Sequence, residues 1–228
     1  MAKRLSKEQL ETDPLLTSYY IFVSFIKRNM TAVIAVSVAV LVIVGGGIYY
    51  YLHSQAQEQE AQELLAQVDP AFQAGDYEIA LEGGSTRITV GLIDIINNYG
   101  RTNAGNMARY YAAVAESELG NYAQARYYIE RFNPPEGILG VGPIALHGVI
   151  LANLGEFEEA ADIFVKAAEW DKNNSTTPQN LLQAAQVSME ANNYSRATEY
   201  VNRILRDYPD SEFVDRARRL EGMLLARG

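Results

Sequence analysis

Two histidines, His53 and His147, are the only imidazoles in the chain, and no cysteine accompanies them. A metal centre or a general base on either residue would need carboxylates or further imidazoles at ligand spacing. Neither histidine has such neighbours, and they stand far apart in the sequence. Without Cys there is no disulfide, no thiolate metal site, no thiol nucleophile and no Cys-linked lipoprotein anchor. Glycines gather in "GGGIYYY" (Gly45 to Tyr51) and "GILGVGP" (Gly137 to Pro143). A phosphate-cradling loop needs a strand before it and a Gly-Lys-Ser/Thr end. Both stretches lack these. The paired acids Glu158 and Glu159 are adjacent on a helix, face different ways and read as a solvated face. With a net charge of −9 and a pI near 4.8, the chain has no basic cluster to meet phosphates. These residues exclude nucleic-acid binding and predict no enzyme, no cofactor, no metal and no small-molecule substrate.

The informative residues are small and aromatic, and they repeat. "QAGDYEIA", "ELGNYAQA", "NLGEFEEA" and "EANNYSRA" share one shape. A helix ends at Gly75, Gly120, Gly155 or Asn192, residues that tolerate the left-handed turn after a helix. A polar residue follows, Asp76, Asn121, Glu156 or Asn193, suited to start the next helix. Then Tyr77, Tyr122, Phe157 or Tyr194 covers the corner. Three residues later Ala80, Ala125, Ala160 or Ala197 lets the second helix lie close to the first. Small Ala113, Gly148 and Ala185 stand on the opposing helices, seven positions before the turn. The marked alanines are 45, 35 and 37 residues apart. A generic bundle of helical hairpins is the alternative, and four in-phase repetitions disfavour it.

One stretch is built for lipid. Met30 to Leu52 contains no charge. At 1.5 Å per residue it makes roughly 34 Å of helix, enough for a hydrocarbon core of ~30 Å. Lys27 and Arg28 close one end, and Tyr49, Tyr50 and Tyr51 form an interfacial belt at the other. Five of the 19 basic residues and three of the 28 acidic ones precede Leu52, which leaves a net −11 beyond it. The positive-inside rule places the N-terminus in the cytoplasm and the rest outside, in the periplasm of a Gram-negative cell. A cleaved signal peptide would have a shorter apolar core and a shorter leader, so a retained anchor is expected. Gly45, Gly46 and Gly47 read either as a packing face for a membrane partner or as a kink. Before the anchor, "LLTSYYIFVSFIKR" reads as a surface-lying amphipathic helix with Pro14 in its first turn and Asp13 as cap.

The expected organisation is therefore all-α: a single transmembrane helix followed by an α-solenoid of tetratricopeptide-like hairpins. Residues 1–29 form a cytoplasmic segment, 30–52 the membrane helix, 53–68 a helical stalk, and 69–228 the repeat domain. "STRITVGL" is the one brief strand candidate, read as loop and helix start. It interrupts the first repeat, whose second helix resumes at "VGLIDIINNYG". "SEFVDRARRLEGMLLARG" reads as a capping helix. Stacked hairpins bind through the face of their first helices. Helical phase places Arg109, Tyr110, Glu116, Asn153 and Gln183 there. Most of the 15 tyrosines are expected to pack between hairpins.

The repeated corner at a spacing near 34 residues resembles the tetratricopeptide repeat, over roughly 57–226. The whole layout resembles more. "AFQAGDYEIALEGG", "GLIDIINNYGRTNAGNMARYYAAVAESELGNYAQARYYIERF" and "AAEWDKNNSTTPQNLLQAAQVSMEANNYSRATEYVNRILRDYP" are similar to the ancillary subunit of the SecYEG translocon. The long pre-anchor segment and the loop after Leu81 resemble the Bacteroidota-type branch of that family. The resemblance implies a non-enzymatic accessory of the translocon at the bacterial inner membrane. It also implies a membrane-anchored periplasmic chaperone of prolyl-isomerase type and exported clients as partners. The alternative is a structural scaffold in another envelope complex, and a third reading is an enzyme regulator.

Overall fold

The computed structural model describes residues 14–84 and 89–226. Asp13, expected to cap the first helix, and Ser85 to Ile88 of "STRITVGL" lie outside the described residues. Among the described residues the chain is all-α, with eleven helices and no strand. They are α1 (Pro14–Arg28), α2 (Met30–Ala74), α3 (Tyr77–Glu82), α4 (Leu92–Tyr99), α5 (Asn103–Glu118) and α6 (Tyr122–Ile129). The rest are α7 (Ile138–Asn153), α8 (Phe157–Trp170), α9 (Thr176–Glu190), α10 (Tyr194–Asp207) and α11 (Val214–Leu225). The chain divides into two compact units, Met1–Ala56 and Gln57–Gly228.

In the first unit one residue, Asn29, separates α1 from α2. The helical bonds carry through it, from Asn29 N–H to Phe25 O at 3.0 Å and from Val33 N–H to Asn29 O at 2.9 Å. By length and composition α2 is apolar enough to cross a membrane. Among the described residues its large side chains stay mostly uncovered: Leu41 is 71% exposed and Ile43 73%. β-branched Val and Ile weaken a helix in water, but in lipid the backbone must satisfy itself, which only a helix or closed barrel does.

The second unit is built of hairpins. The last part of α2 pairs with α3, α5 with α6, α7 with α8, and α9 with α10, while α4 is inserted before α5 and α11 closes the array. Each later hairpin also packs on the next, α8 against α9 and α10 against α11. Leu92, Ile95, Ile150, Leu151, Leu181 and Ile204 are fully buried, each contributing about 1.5–3 kcal/mol.

The segment expected as a stalk, 53–68, overlaps the second compact unit. The compact unit starts at Gln57, so most of that segment is the first helix of the first hairpin. Ala61 and Val68 are buried, with Leu64, Leu65 and Phe72 half-buried along the same stripe. That stripe has helical spacing and faces the core. Glu58 fastens the helix further. Its carboxylate accepts from the amides of Asn103 at 2.6 Å and Ala104 at 3.2 Å. Those amides open α5 and have no partner within the helix, and a negative charge there also meets the positive end of the helix dipole.

Candidate protein-binding surface

All four corners of the repeated phrase adopt one geometry. Gly75, Gly120 and Gly155 have φ of 80°, 79° and 79°, and Asn192 has 59°. At each, the residue after the turn donates to a carbonyl five positions back: Asp76 to Ala71 (3.0 Å), Asn121 to Glu116 (2.8 Å), Glu156 to Leu151 (3.0 Å) and Asn193 to Ser188 (2.8 Å). The turn residue itself donates three back, as in Gly155 to Ala152 at 3.1 Å. These paired bonds close the orphan carbonyls of the first helix and set the left-handed exit that glycine accommodates. The polar residue that follows does less than its type suggests. Only Asn193 caps its helix, accepting from the Arg196 amide at 3.2 Å. Asp76, Asn121 and Glu156 make no side-chain cap. Tyr77, Tyr122, Phe157 and Tyr194 open the second helices and are half-buried. Tyr77 sits edge-on to Phe72 with centroids 5.6 Å apart.

The small residues lie where the helices touch. Ala80, Ala125, Ala160, Ala197, Ala113 and Ala185 are fully buried. Gly148 is tighter still, since a Cβ there would stand 2.9 Å from the Phe164 ring.

The candidate groove residues divide. Asn153 is exposed, and Arg109, Tyr110 and Gln183 are half-buried. Arg109 donates to the Gly100 carbonyl at 2.7 Å. Tyr110 lies against Phe132, centroids 5.5 Å apart, and burial raises its hydroxyl pKa. Glu116 is 8% exposed and accepts from Asn121 Nδ2 at 2.9 Å, bracing the α5–α6 corner from inside. The membrane-flanking Lys27, Arg28, Tyr49, Tyr50 and Tyr51 are all exposed.

Ion pairs join the second helices. Arg126 on α6 meets Glu156 at 2.7 Å and Glu159 at 3.7 Å. Arg196 on α10 meets Glu158 at 2.6 Å and Asp162 at 2.5 Å, both from the α8 segment. Arg203 of α10 pairs with Glu169 of α8. Among the described residues, every ion pair between elements joins second helices in this way. Glu158 and Glu159 therefore do face different ways, and each, while still exposed, reaches an arginine of a neighbouring hairpin. Sequence reasoning missed these arginines because Arg126 and Arg196 occupy different places in the repeated phrase.

Helix α7 carries a different surface. Helix α7 contains no Asp, Glu, Lys or Arg, and it exposes Ile138 (51%) and Leu139 (75%). Met107 on α5 is 39% exposed. His147 of α7 lines a cavity of about 180 Å³ with Ile144, Ile163, Phe132, Glu130 and Lys166. Its Nε2 is buried without a partner, and burial lowers its pKa. Among the described residues no cluster of His, Asp and Glu is placed to hold a metal ion.

Four hairpins with one corner geometry define a tetratricopeptide-like helical domain. A family model for the tetratricopeptide repeat-like domain matches residues 24–133, from within α1 to just beyond α6. No curated protein and no solved structure matches the chain. A domain of this kind is typically a protein-interaction scaffold without catalysis.

Proposed function

We propose that this chain is a membrane-tethered protein-binding module, an accessory subunit of the Sec translocon that assists export or recruits a periplasmic chaperone. The observation that carries the binding reading is the contrast between the ion-paired second helices and the charge-free α7. Ion pairs tie the second helices together, while α7 presents an uncharged face with Ile138 and Leu139 exposed. Exposed apolar side chains among polar ones are the usual marks of a protein contact. Arg109, Tyr110, Asn153 and Gln183 flank that face as groove residues, with the four corners holding the helices in register.

The tether is the apolar part of α2. Lys27 and Arg28 on one side and the acidic stretch after Leu52 on the other support a cytoplasmic N-terminus and a periplasmic array. The translocon itself rests on the resemblance of the sequence phrases. Gly45 to Gly47 have no neighbour within 4 Å of an added Cβ, which suits a face for a membrane partner. Photo-crosslinkers placed from Val38 to Gly46 in cells test the proposal. Adducts with translocon subunits are expected. Adducts only with another envelope complex would favour the scaffold reading, and no protein adducts at all would defeat both.

A further inference from the structure

Two sets of arginines in the array stand in contrast. Arg126, Arg196 and Arg203 on the second helices are each held by carboxylates of a neighbouring hairpin. Arg216, Arg218 and Arg219 on α11 are exposed and, among the described residues, have no carboxylate within 4 Å. Two of them, Arg216 and Arg219, stand one turn apart and line an open groove of about 360 Å³ with Gln186 of α9, Leu220 and Met223. No acidic side chain lines it. Arg216 lies over the Phe213 ring at 5.7 Å, which steadies its guanidinium without neutralising it. Met223 is 57% exposed and gives the groove an adaptable apolar floor.

We infer that this groove binds an acidic segment of a partner protein, with carboxylates on Arg216 and Arg219 and an apolar side chain against Leu220 and Met223. The site refines the protein-binding reading and rests on it. Charge complementarity selects the occupant. A guanidinium fork takes a carboxylate through two parallel hydrogen bonds. The acidic remainder of the surface repels the same segment elsewhere, so the groove also orients it. Two arginines are too few to hold a nucleic-acid backbone against its counterions.

The test uses the full chain in detergent micelles and a fluorescein-labelled peptide of Glu, Gly and one Phe, followed by fluorescence anisotropy. The peptide is expected to bind and to weaken as salt rises. Arg216→Gln with Arg219→Gln is expected to weaken it at least about tenfold, the scale of lost close charge pairs. Arg206→Gln, whose guanidinium is paired with its own neighbour Asp207, should change affinity less than about twofold. Met223→Ser should weaken the Phe-containing peptide and leave a Gly analogue unaffected, which separates a docked side chain from diffuse attraction. Equal binding of a Lys-for-Glu peptide, indifference to the double variant, or no binding would overturn the inference. So would a double variant that loses adhesion to phosphatidylglycerol vesicles but keeps the peptide. If the α2 crosslinks form while the peptide fails, this inference falls and the binding-module reading stands.

Discussion

Two regions of the chain are rich in Val, Ile, Leu, Ala and Gly, and they use them oppositely. Between Met30 and Leu52 these side chains are exposed, as at Leu41 (71%) and Ile43 (73%), and glycines 45 to 47 have open space around them. In the array the same types are buried, with Ile150 and Leu151 at 0% and Gly148 pressed against Phe164. The array draws its stability from contacts within the chain. The apolar segment stays mostly uncovered among the described residues, and its length and composition suit an apolar solvent. Substitutions that resemble each other should therefore fail in different assays.

The largest effect is expected in the apolar segment. Val38→Asp together with Leu41→Asp places two carboxylates near the middle of the span. Each costs about 3 kcal/mol on the insertion scale, so about 6 kcal/mol in all. The chain should move from the membrane fraction to the alkali-extractable one while the helical circular dichroism of the array persists. A double variant that stays in the membrane would break the comparison at its root.

Next come the packed small residues. Ala160→Trp forces an indole into a fully buried site and should cost about 3 kcal/mol or more, read as a lower denaturant midpoint. Gly148→Val should cost about 2 kcal/mol, since its Cβ meets the Phe164 ring. Gly46→Val should leave the midpoint where it was. Equal shifts for Gly148→Val and Gly46→Val would mean that the apolar segment packs on something the chain itself supplies.

These positions were legible in the sequence, and the reason is physical. A left-handed corner admits few residues and a helix crossing admits only small ones, so Gly155, Phe157 and Ala160 recur in phase with their neighbours. The apolar segment announced itself by length alone. Contacts made by long side chains across repeats were not legible. Arg126 reaches Glu156, and Arg196 reaches Glu158, from unequal positions in the phrase. Where stalk gives way to packed helix after Gln57 was only partly legible, because good helix formers fit a free stalk and a packed helix alike. Only the stripe through Ala61, Leu64, Leu65 and Val68 betrayed it. Glu116, assigned to the groove by phase, turned out to face its own corner because Asn121 is within reach.

A smaller effect comes from the interior of the array. Burial depresses the His147 pKa below its ordinary 6.5, so the folded state favours the neutral ring. Arg126 of α6, Glu130 just after that helix, and Lys166 and Glu156 from the α8 segment face it with opposing signs. The unfolded chain then binds the extra proton first. Stability is full above the ordinary histidine range and declines as pH falls below about 6.5. His147→Leu should flatten that decline in denaturant midpoints taken between about pH 7 and pH 5. A decline that survives the substitution would assign it to other groups.

The smallest effect separates corner from rim within one phrase. Glu159 is half-exposed and stands 3.7 Å from Arg126, which Glu156 already holds at 2.7 Å. Such an outer pair is worth about 0–1 kcal/mol and is screened by salt. Glu159→Gln should therefore shift stability by less than about 0.5 kcal/mol. Four residues earlier, Gly155→Val places a β-branched side chain at φ of 79°, and the left-handed region costs such a residue about 2 kcal/mol. The added Cβ has open space there, so the cost is backbone strain alone and not collision. Asn192→Gly, at the one corner not already built on glycine, should run the other way and stabilise by a few tenths of a kcal/mol. If Glu159→Gln did as much damage as Gly155→Val, the ion pairs of the second helices, and not the corners, would be holding the hairpins in register.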